Sequence, residues 1–214
     1  MDFVAPVVFP DYKIAVDTPE TKITIPDLLP SVNVLPDSIK IPAMHSRLSD
    51  LGHAGVAIIQ GTTGLARYFE YGRYDVAARG ETRTRKVPNV HMGPHGRPTR
   101  DSFVRLLAVI SKEAGQKGTV SGALIELPKG KFEIMLKYAL ARAALNHTDN
   151  REPYKLTSNS CMHFSKAVAE SADVKMPWIF DPRPVSFIEE VQASYPSFKF
   201  VPPKTFTATG IPGY

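Results

Sequence analysis

The sequence predicts an α+β fold in which an antiparallel sheet packs against helices. Three observations support it. Two β-rich runs flank turn residues, two stretches carry apolar residues at helical spacing, and prolines concentrate at both ends of the chain. With 214 residues, 43% hydrophobic and 22% charged, the chain is ordinary for a globular protein with one substantial core. The formal charge of +5 and pI near 9.3 suit an anionic partner such as nucleic acid, a membrane surface or cell wall, without choosing among them.

Residues 1 to 45 carry many of the 19 prolines, including Pro10, Pro26, Pro30 and Pro36. Proline fixes its own φ and holds the preceding residue extended. The expectation is an extended arm with short edge strands that packs on a catalytic domain of residues 46–214. A separate docking segment is the alternative. The N-terminus lacks a basic region followed by an apolar one, so no secretory signal is expected. No apolar run reaches the ~18 residues a membrane-spanning helix needs. A monomeric chain made in the cytoplasm, without stable membrane insertion, is the corresponding expectation.

Gly55 to Gln60 and Leu65 to Tyr74 read as strands on either side of a Gly61-Thr62-Thr63-Gly64 turn. Residues 76–100 are polar, basic and glycine-rich, and read as a long loop. Asp101-Ser102 can cap a helix with Phe103, Leu106, Leu107 and Ile110 inward, ending near Gly115. Ser121 to Leu127 reads as a strand closed by Pro128. Phe132 to Leu145 is a helix with Phe132, Met135, Leu136, Ala139, Leu140 and Ala143 inward. A further helix follows Cys161, with Phe164, Val168 and Ala172 inward, and a short one spans Ser186 to Ala193 within an otherwise extended C-terminal region.

Cys161 is the single cysteine, which excludes a disulfide framework and a multi-thiolate zinc site within the chain. It follows Thr157-Ser158-Asn159-Ser160, residues suited to capping, and so falls at the start of a helix. There the unsatisfied amides and the helix dipole favour the nucleophilic thiolate. A lone cysteine is more often a small buried hydrophobe, but this one avoids the helix's apolar stripe.

Of six histidines, His163 is two residues from Cys161 and points away from it on a helix. His147, His91, His95 and His45 lie in loops or beside the arm. His53 opens a strand and has small neighbours, Gly52, Ala54 and Gly55. A hairpin closing about Thr62-Thr63 sets His53 opposite Gly72, with Glu70 and Tyr74 diagonal on the same face. Glu70 then orients the imidazole as a third catalytic member, and a one-residue slip passes that role to Asp75. Cys161, His53 and Glu70 are thus the expected catalytic residues, with Asn159, Tyr74 and Trp178 expected at the substrate. No metal or cofactor is expected, since Gly93-Pro94 between His91 and His95 prevents a shared helix face.

The strand-borne histidine in Gly52-His53-Ala54-Gly55-Val56-Ala57-Ile58-Ile59, paired with a downstream Y-x-L-x-x-N-x-C-x-x-F segment from Tyr154 to Phe164, resembles the circularly permuted branch of the NlpC-like, papain-fold cysteine peptidases. That branch includes lecithin:retinol acyltransferase-like proteins. The resemblance covers residues 50 to 175, and Ser160 departs from the asparagine common at that place. Within it, the chain is most similar to type VI secretion effectors of the peptidoglycan-hydrolase kind. The resemblance implies an amidase or endopeptidase acting on peptidoglycan stem peptides in a target cell's periplasm. It also implies a cognate immunity protein and a secretion-apparatus partner. Lipid acyl transfer is the first alternative. A basic module gripping nucleic acid through Arg83, Arg85, Lys86, Arg97 and Arg100 is the second, but that cluster lacks interleaved aromatics, so no nucleic-acid partner is expected.

Overall fold

The computed structural model describes residues 1–16, 21–24, 38–41, 46–48, 52–74 and 79–214. The strands are β1 (Asp2–Phe9), β2 (Ile14–Val16), β3 (Thr21–Thr24), β4 (Ser38–Ile41), β5 (Ser46–Leu48), β6 (His53–Ile59), β7 (Ala66–Gly72), β8 (Glu81–Arg85), β9 (Val120–Ala123), β10 (Ile125–Leu127), β11 (Ser197–Val201) and β12 (Thr205–Thr209). The helices are α1 (Arg100–Glu113), α2 (Lys131–Ala144), α3 (Cys161–Glu170) and α4 (Pro184–Ser194). The fold is α+β, with a wholly antiparallel main sheet ordered β12-β11-β9-β1-β6-β7-β8, and β10 continuing β9 along β1.

Strand alternation divides the core in two. Val4 and Val8 of β1, with Ala54, Val56 and Ile58 of β6, face α2, α3 and α4. Phe3, Ala5, Val7 and Phe9, with Ala57 and Ile59, face α1. The stripe Phe103, Leu106, Leu107 and Ile110 of α1 is buried as its spacing predicts. So are Phe164, Val168 and Ala172 in and just beyond α3. On α2, Phe132, Met135 and Ala139 are buried, but Leu140 is exposed, because at ~100° per residue it lies about a third of a turn away from the line of those three.

The expected arm of edge strands is overturned at its start. β1 is an interior strand, paired with β6 on one side and with β9 and β10 on the other, and is buried throughout. Pro6 argues against an interior position, since it has no N–H for a ladder. The pairing with β9 and β10 lapses opposite Ala5 and Pro6, and that gap accommodates the proline. Asp2 anchors the same strand: its Oδ1 accepts from the Gly61 amide at 3.0 Å, and its Oδ2 from Gly130 at 2.7 Å and Phe132 at 3.0 Å. The carboxylate thereby caps the amides at the start of α2, which has no capping side chain of its own. Most of the remaining expected arm lies outside the described residues.

Two further expectations change. The basic stretch 76–100 contains β8, paired with β7 from Tyr68↔Arg85 to Gly72↔Glu81. The run 121–127 is two strands interrupted at Leu124, whose amide donates to the Pro196 carbonyl. The β6–β7 hairpin follows the expected register, with Gly55↔Glu70 and Ile59↔Ala66.

Candidate functional site

Cys161 is the first residue of α3, after an N-cap Ser160 in extended conformation that makes no capping side-chain bond. Ser160 Oγ lies 2.8 Å from His163 Nδ1, so His163 is tied to the helix start and not to the thiol. The N-terminus of α3 meets the start of β6. There the thiol is within hydrogen-bonding reach of the His53 imidazole and of the Ala54 backbone amide. Cys161 and His53 are both buried, at 4% and 6% exposure, so the thiol shows solvent only a sliver of its surface.

Glu70 lies behind the imidazole. His53 Nε2 is 3.2 Å from Glu70 Oε2 and 3.3 Å from the Tyr74 hydroxyl, so the carboxylate and the phenol share one ring nitrogen. Glu70 is itself buried, and its carboxylate is shared with Arg85, whose Nε and guanidinium NH2 lie 3.0 and 2.9 Å from Oε1. The Tyr68 hydroxyl lies 3.5 Å from Oε2. Burial and the Glu70 charge push both the Tyr68 and Tyr74 phenols above their usual range, so both stay protonated donors.

Two glycines make this arrangement sterically accessible. A Cβ on Gly55 would stand 2.1 Å from the Tyr68 hydroxyl, and one on Gly72 would stand 2.6 Å from the Tyr74 ring. Any larger residue at either position displaces the tyrosine that reaches Glu70 or His53. The Tyr12 ring closes the other side of the imidazole at 4.9 Å between centroids, and Arg83 lies 3.7 Å over the Tyr74 ring.

The electrostatics favour a thiolate–imidazolium pair. Burial by itself lowers the His53 pKa, but hydrogen bonds and charge from Cys161 and Glu70 outweigh it and raise the group to about 9. Burial pushes the Cys161 thiol up, yet the His53 hydrogen bond and charge, with help from Tyr154 and the Ala54 amide, bring it below the ordinary thiol range. The cluster combines a buried thiol, a base and a carboxylate that orients the base, the set that nucleophilic acyl chemistry uses.

The other expected residues fall differently. Tyr74 is in the cluster, bonded to His53. Asn159, expected at the substrate, is corrected to an internal tie: its amide donates to Tyr71 at 3.0 Å, Glu152 at 3.1 Å and the Pro153 carbonyl at 2.9 Å, and its Oδ1 accepts from Arg142 at 3.1 Å. Both amide hydrogens are thus taken up inside the protein, and Oδ1 already accepts from Arg142. Trp178 is 79% exposed on the loop after α3, which Lys166 holds through the Met176 and Pro177 carbonyls, and it is not among the side chains gathered around Cys161. Asp75, the alternative third member, lies outside the described residues. Of the basic cluster, Arg83 pairs with Glu81, Arg85 with Glu70, and Arg97 with Glu126, so much of its charge is engaged internally.

The residues that sequence reading passed over are Arg85, Tyr68, Tyr12 and Tyr154. Arg85 and Tyr68 lie on the Glu70 face of adjoining strands, a relation visible once β8 is recognised. Tyr12 is 41 residues from His53 and leaves no local signal. Tyr154 lies inside the cysteine segment. Among the described residues, no three His, Cys, Asp or Glu side chains converge to hold a metal ion, and no helix is long and apolar enough to cross a membrane.

The profile of the family described as type VI secretion system effector TseH-like matches residues 4–176, most of the chain and all of the cluster around Cys161. The chain belongs to the TseH-like family of type VI secretion effectors. The crystal structure of the type VI secretion system effector TseH is similar at 30% sequence identity, over 97% of each chain, with a TM-score of 0.72. No curated protein matches the sequence significantly. Membership supplies the TseH-like effector's setting, secretion into target cells, and leaves its chemistry to be argued from the site.

Proposed function

We propose that this effector is a cysteine amidase or endopeptidase, built on a permuted NlpC-type, papain-like architecture, that cleaves peptidoglycan stem peptides in the target cell's periplasm. The observation that carries the reading is the buried Cys161 at the start of α3, within hydrogen-bonding reach of a His53 whose Nε2 is 3.2 Å from Glu70. The effector setting and the net charge of +5, suited to an anionic wall polymer, support the choice of substrate. A cognate immunity protein and a delivery component of the secretion apparatus complete the proposal.

In this mechanism the Cys161 thiolate attacks the scissile carbonyl, and the Cys161 backbone amide at the helix start faces the developing oxyanion. The His53 imidazolium, held by Glu70, gives its proton to the departing amine. Neutral His53 then takes a proton from water, which hydrolyses the thioester and frees the thiol.

The test is incubation of wild type and Cys161→Ala with purified bacterial sacculi, with soluble products resolved by liquid chromatography and mass spectrometry. New muropeptides from wild type alone are the expected result and identify the bond. Intact sacculi with both folded proteins would remove the peptidoglycan reading.

A further inference from the structure

We propose that the outer edge of β12 is an interface for a second copy of this chain, whose own β12 adds to the sheet antiparallel about a two-fold axis at Thr207. The inference is independent of the chemistry at Cys161.

The two edges of the main sheet are built differently. At one edge, β8 carries Glu81, Arg83 and Arg85, and part of its outward backbone is already occupied. Thr82 N donates to Asn146 Oδ1 at 2.9 Å, and Asn146 Nδ2 donates to the Thr82 carbonyl at 2.7 Å. Just before the strand, Gly80 N donates to the Glu152 carbonyl at 2.8 Å. Charges and side-chain plugs of this kind keep a strand edge from pairing. At the other edge, β12 pairs with β11 alone, and among the described residues no backbone bond reaches its outer side. Its sequence, Thr-Phe-Thr-Ala-Thr, has no charge and no proline, and no bulge interrupts the register from Ser197↔Thr209 to Val201↔Thr205. An edge left in that state offers its free N–H and C=O groups to another strand. The strand is also fixed in place, since the Phe206 ring packs against Phe103, Phe198 and Tyr214 at 6.3, 6.5 and 5.9 Å, so little ordering is needed on association.

The occupant follows from the way this strand fits itself. A two-fold axis normal to the sheet keeps each face of β12 on the same side in both copies, so the pairing must be centred on a residue. Centred on Thr207, it sets Phe206 against the partner's Ala208, a large side chain beside a small one, on the α1 face where both are half-buried. On the exposed face it sets Thr205 against the partner's Thr209 and Thr207 against the partner's Thr207, pairs that stabilise antiparallel strands. The nearest cation on that face, Lys199 opposite Thr207 on β11, falls three strand spacings, roughly 14 Å, from the partner's Lys199, beyond the ~8 Å screening length at physiological salt. Strand β6, which carries His53, is four places from β12 in the sheet, so both Cys161 sites stay clear of the axis.

The test is sedimentation of the full chain over a concentration series, with covalent trapping beside it. Wild type is expected to show a reversible monomer–dimer equilibrium at roughly micromolar to millimolar concentration, as befits a small interface. Thr207→Lys sets two like charges face to face beside Lys199 and is expected to weaken dimerisation on the order of 10-fold or more, with alkylation of Cys161 by iodoacetamide unchanged as the check on folding. For trapping, a cysteine is placed in the Cys161→Ala protein, which has no other thiol. Thr207→Cys is expected to oxidise to a disulfide-linked dimer, because directly opposed residues lie about 4.5 to 5.5 Å apart between Cα atoms. Thr209→Cys, on the same strand but about 13 Å from its own copy in this register, is expected to stay unlinked. Wild type that remains monomeric throughout would overturn the assignment and leave the edge to a strand of another protein. A dimer unaffected by Thr207→Lys, or equal trapping at positions 207 and 209, would overturn it as well.

Discussion

Replacing Glu70 with glutamine keeps the shape of the site and deletes one buried charge, which isolates what that charge does for His53. At 3.2 Å, a unit charge attracts an imidazolium by roughly 5 kcal/mol at an effective dielectric near 20. Arg85, paired with the other carboxylate oxygen at 2.9 Å, cancels part of that attraction. A net loss of about 1.5 to 3 kcal/mol corresponds to a fall of roughly 1 to 2 pH units in the His53 midpoint. The midpoint is about 9 in the native protein, so it moves towards neutrality. The assay is the pH dependence of the His53 ring resonances in a histidine-labelled sample, with iodoacetamide alkylation of Cys161 followed in parallel by intact mass. The acid limb of alkylation is expected to shift upward, because a less available imidazolium supports the thiolate less. Stability follows the same linkage. His53 is raised in the folded state above its ordinary 6.5, so its contribution is fully present below pH ~6.5 and is lost as pH rises through about 9. Glu70→Gln therefore flattens the loss of stability between those limits. A His53 midpoint that stays near 9 in a folded Glu70→Gln protein would refute the claim that Glu70 holds the imidazolium.

Asp2→Ala leaves the amides of Gly61, Gly130 and Phe132 without their acceptor and is expected to cost roughly 2 to 4 kcal/mol, read by urea denaturation. Gly55→Ala drives a methyl into the Tyr68 hydroxyl, so a loss of about 1 to 3 kcal/mol is expected, together with a lower His53 midpoint as Tyr68 and Glu70 shift. Asn159→Ala removes four internal hydrogen-bond contacts beside Cys161 and is expected to cost about 2 kcal/mol in thermal unfolding. Because Asn159 is an internal tie, its effect on turnover is expected in kcat, through Tyr154 and the helix start, with KM little changed.

The features legible in the sequence are those set by short-range physics. Helix α1 is announced by Phe103, Leu106, Leu107 and Ile110 at one-face spacing, and α3 by polar residues before an apolar stripe. The β6–β7 register follows from its turn, and that register brings Glu70 beside His53. A hairpin carries two residues 17 positions apart into contact through local geometry alone.

Tertiary structure decided the rest, because it depends on partners that the local pattern does not encode. Residues 2–9, with a proline among them, read as an arm, yet they form the interior strand of the sheet, where interrupted pairing with β9 and β10 accommodates Pro6. Arg85 is one charge among many until β8 pairs with β7 and sets it against Glu70. Asn159 resembles a ligand-binding amide until Tyr71, Glu152 and Arg142, from three other segments, take up its hydrogen bonds. The sequence by itself determined the chemical types present and the local elements that carry them, since periodicity, capping and turn geometry act over a few residues. Which side chains meet at Cys161, and which are spent holding them there, was decided only when the sheet and helices packed.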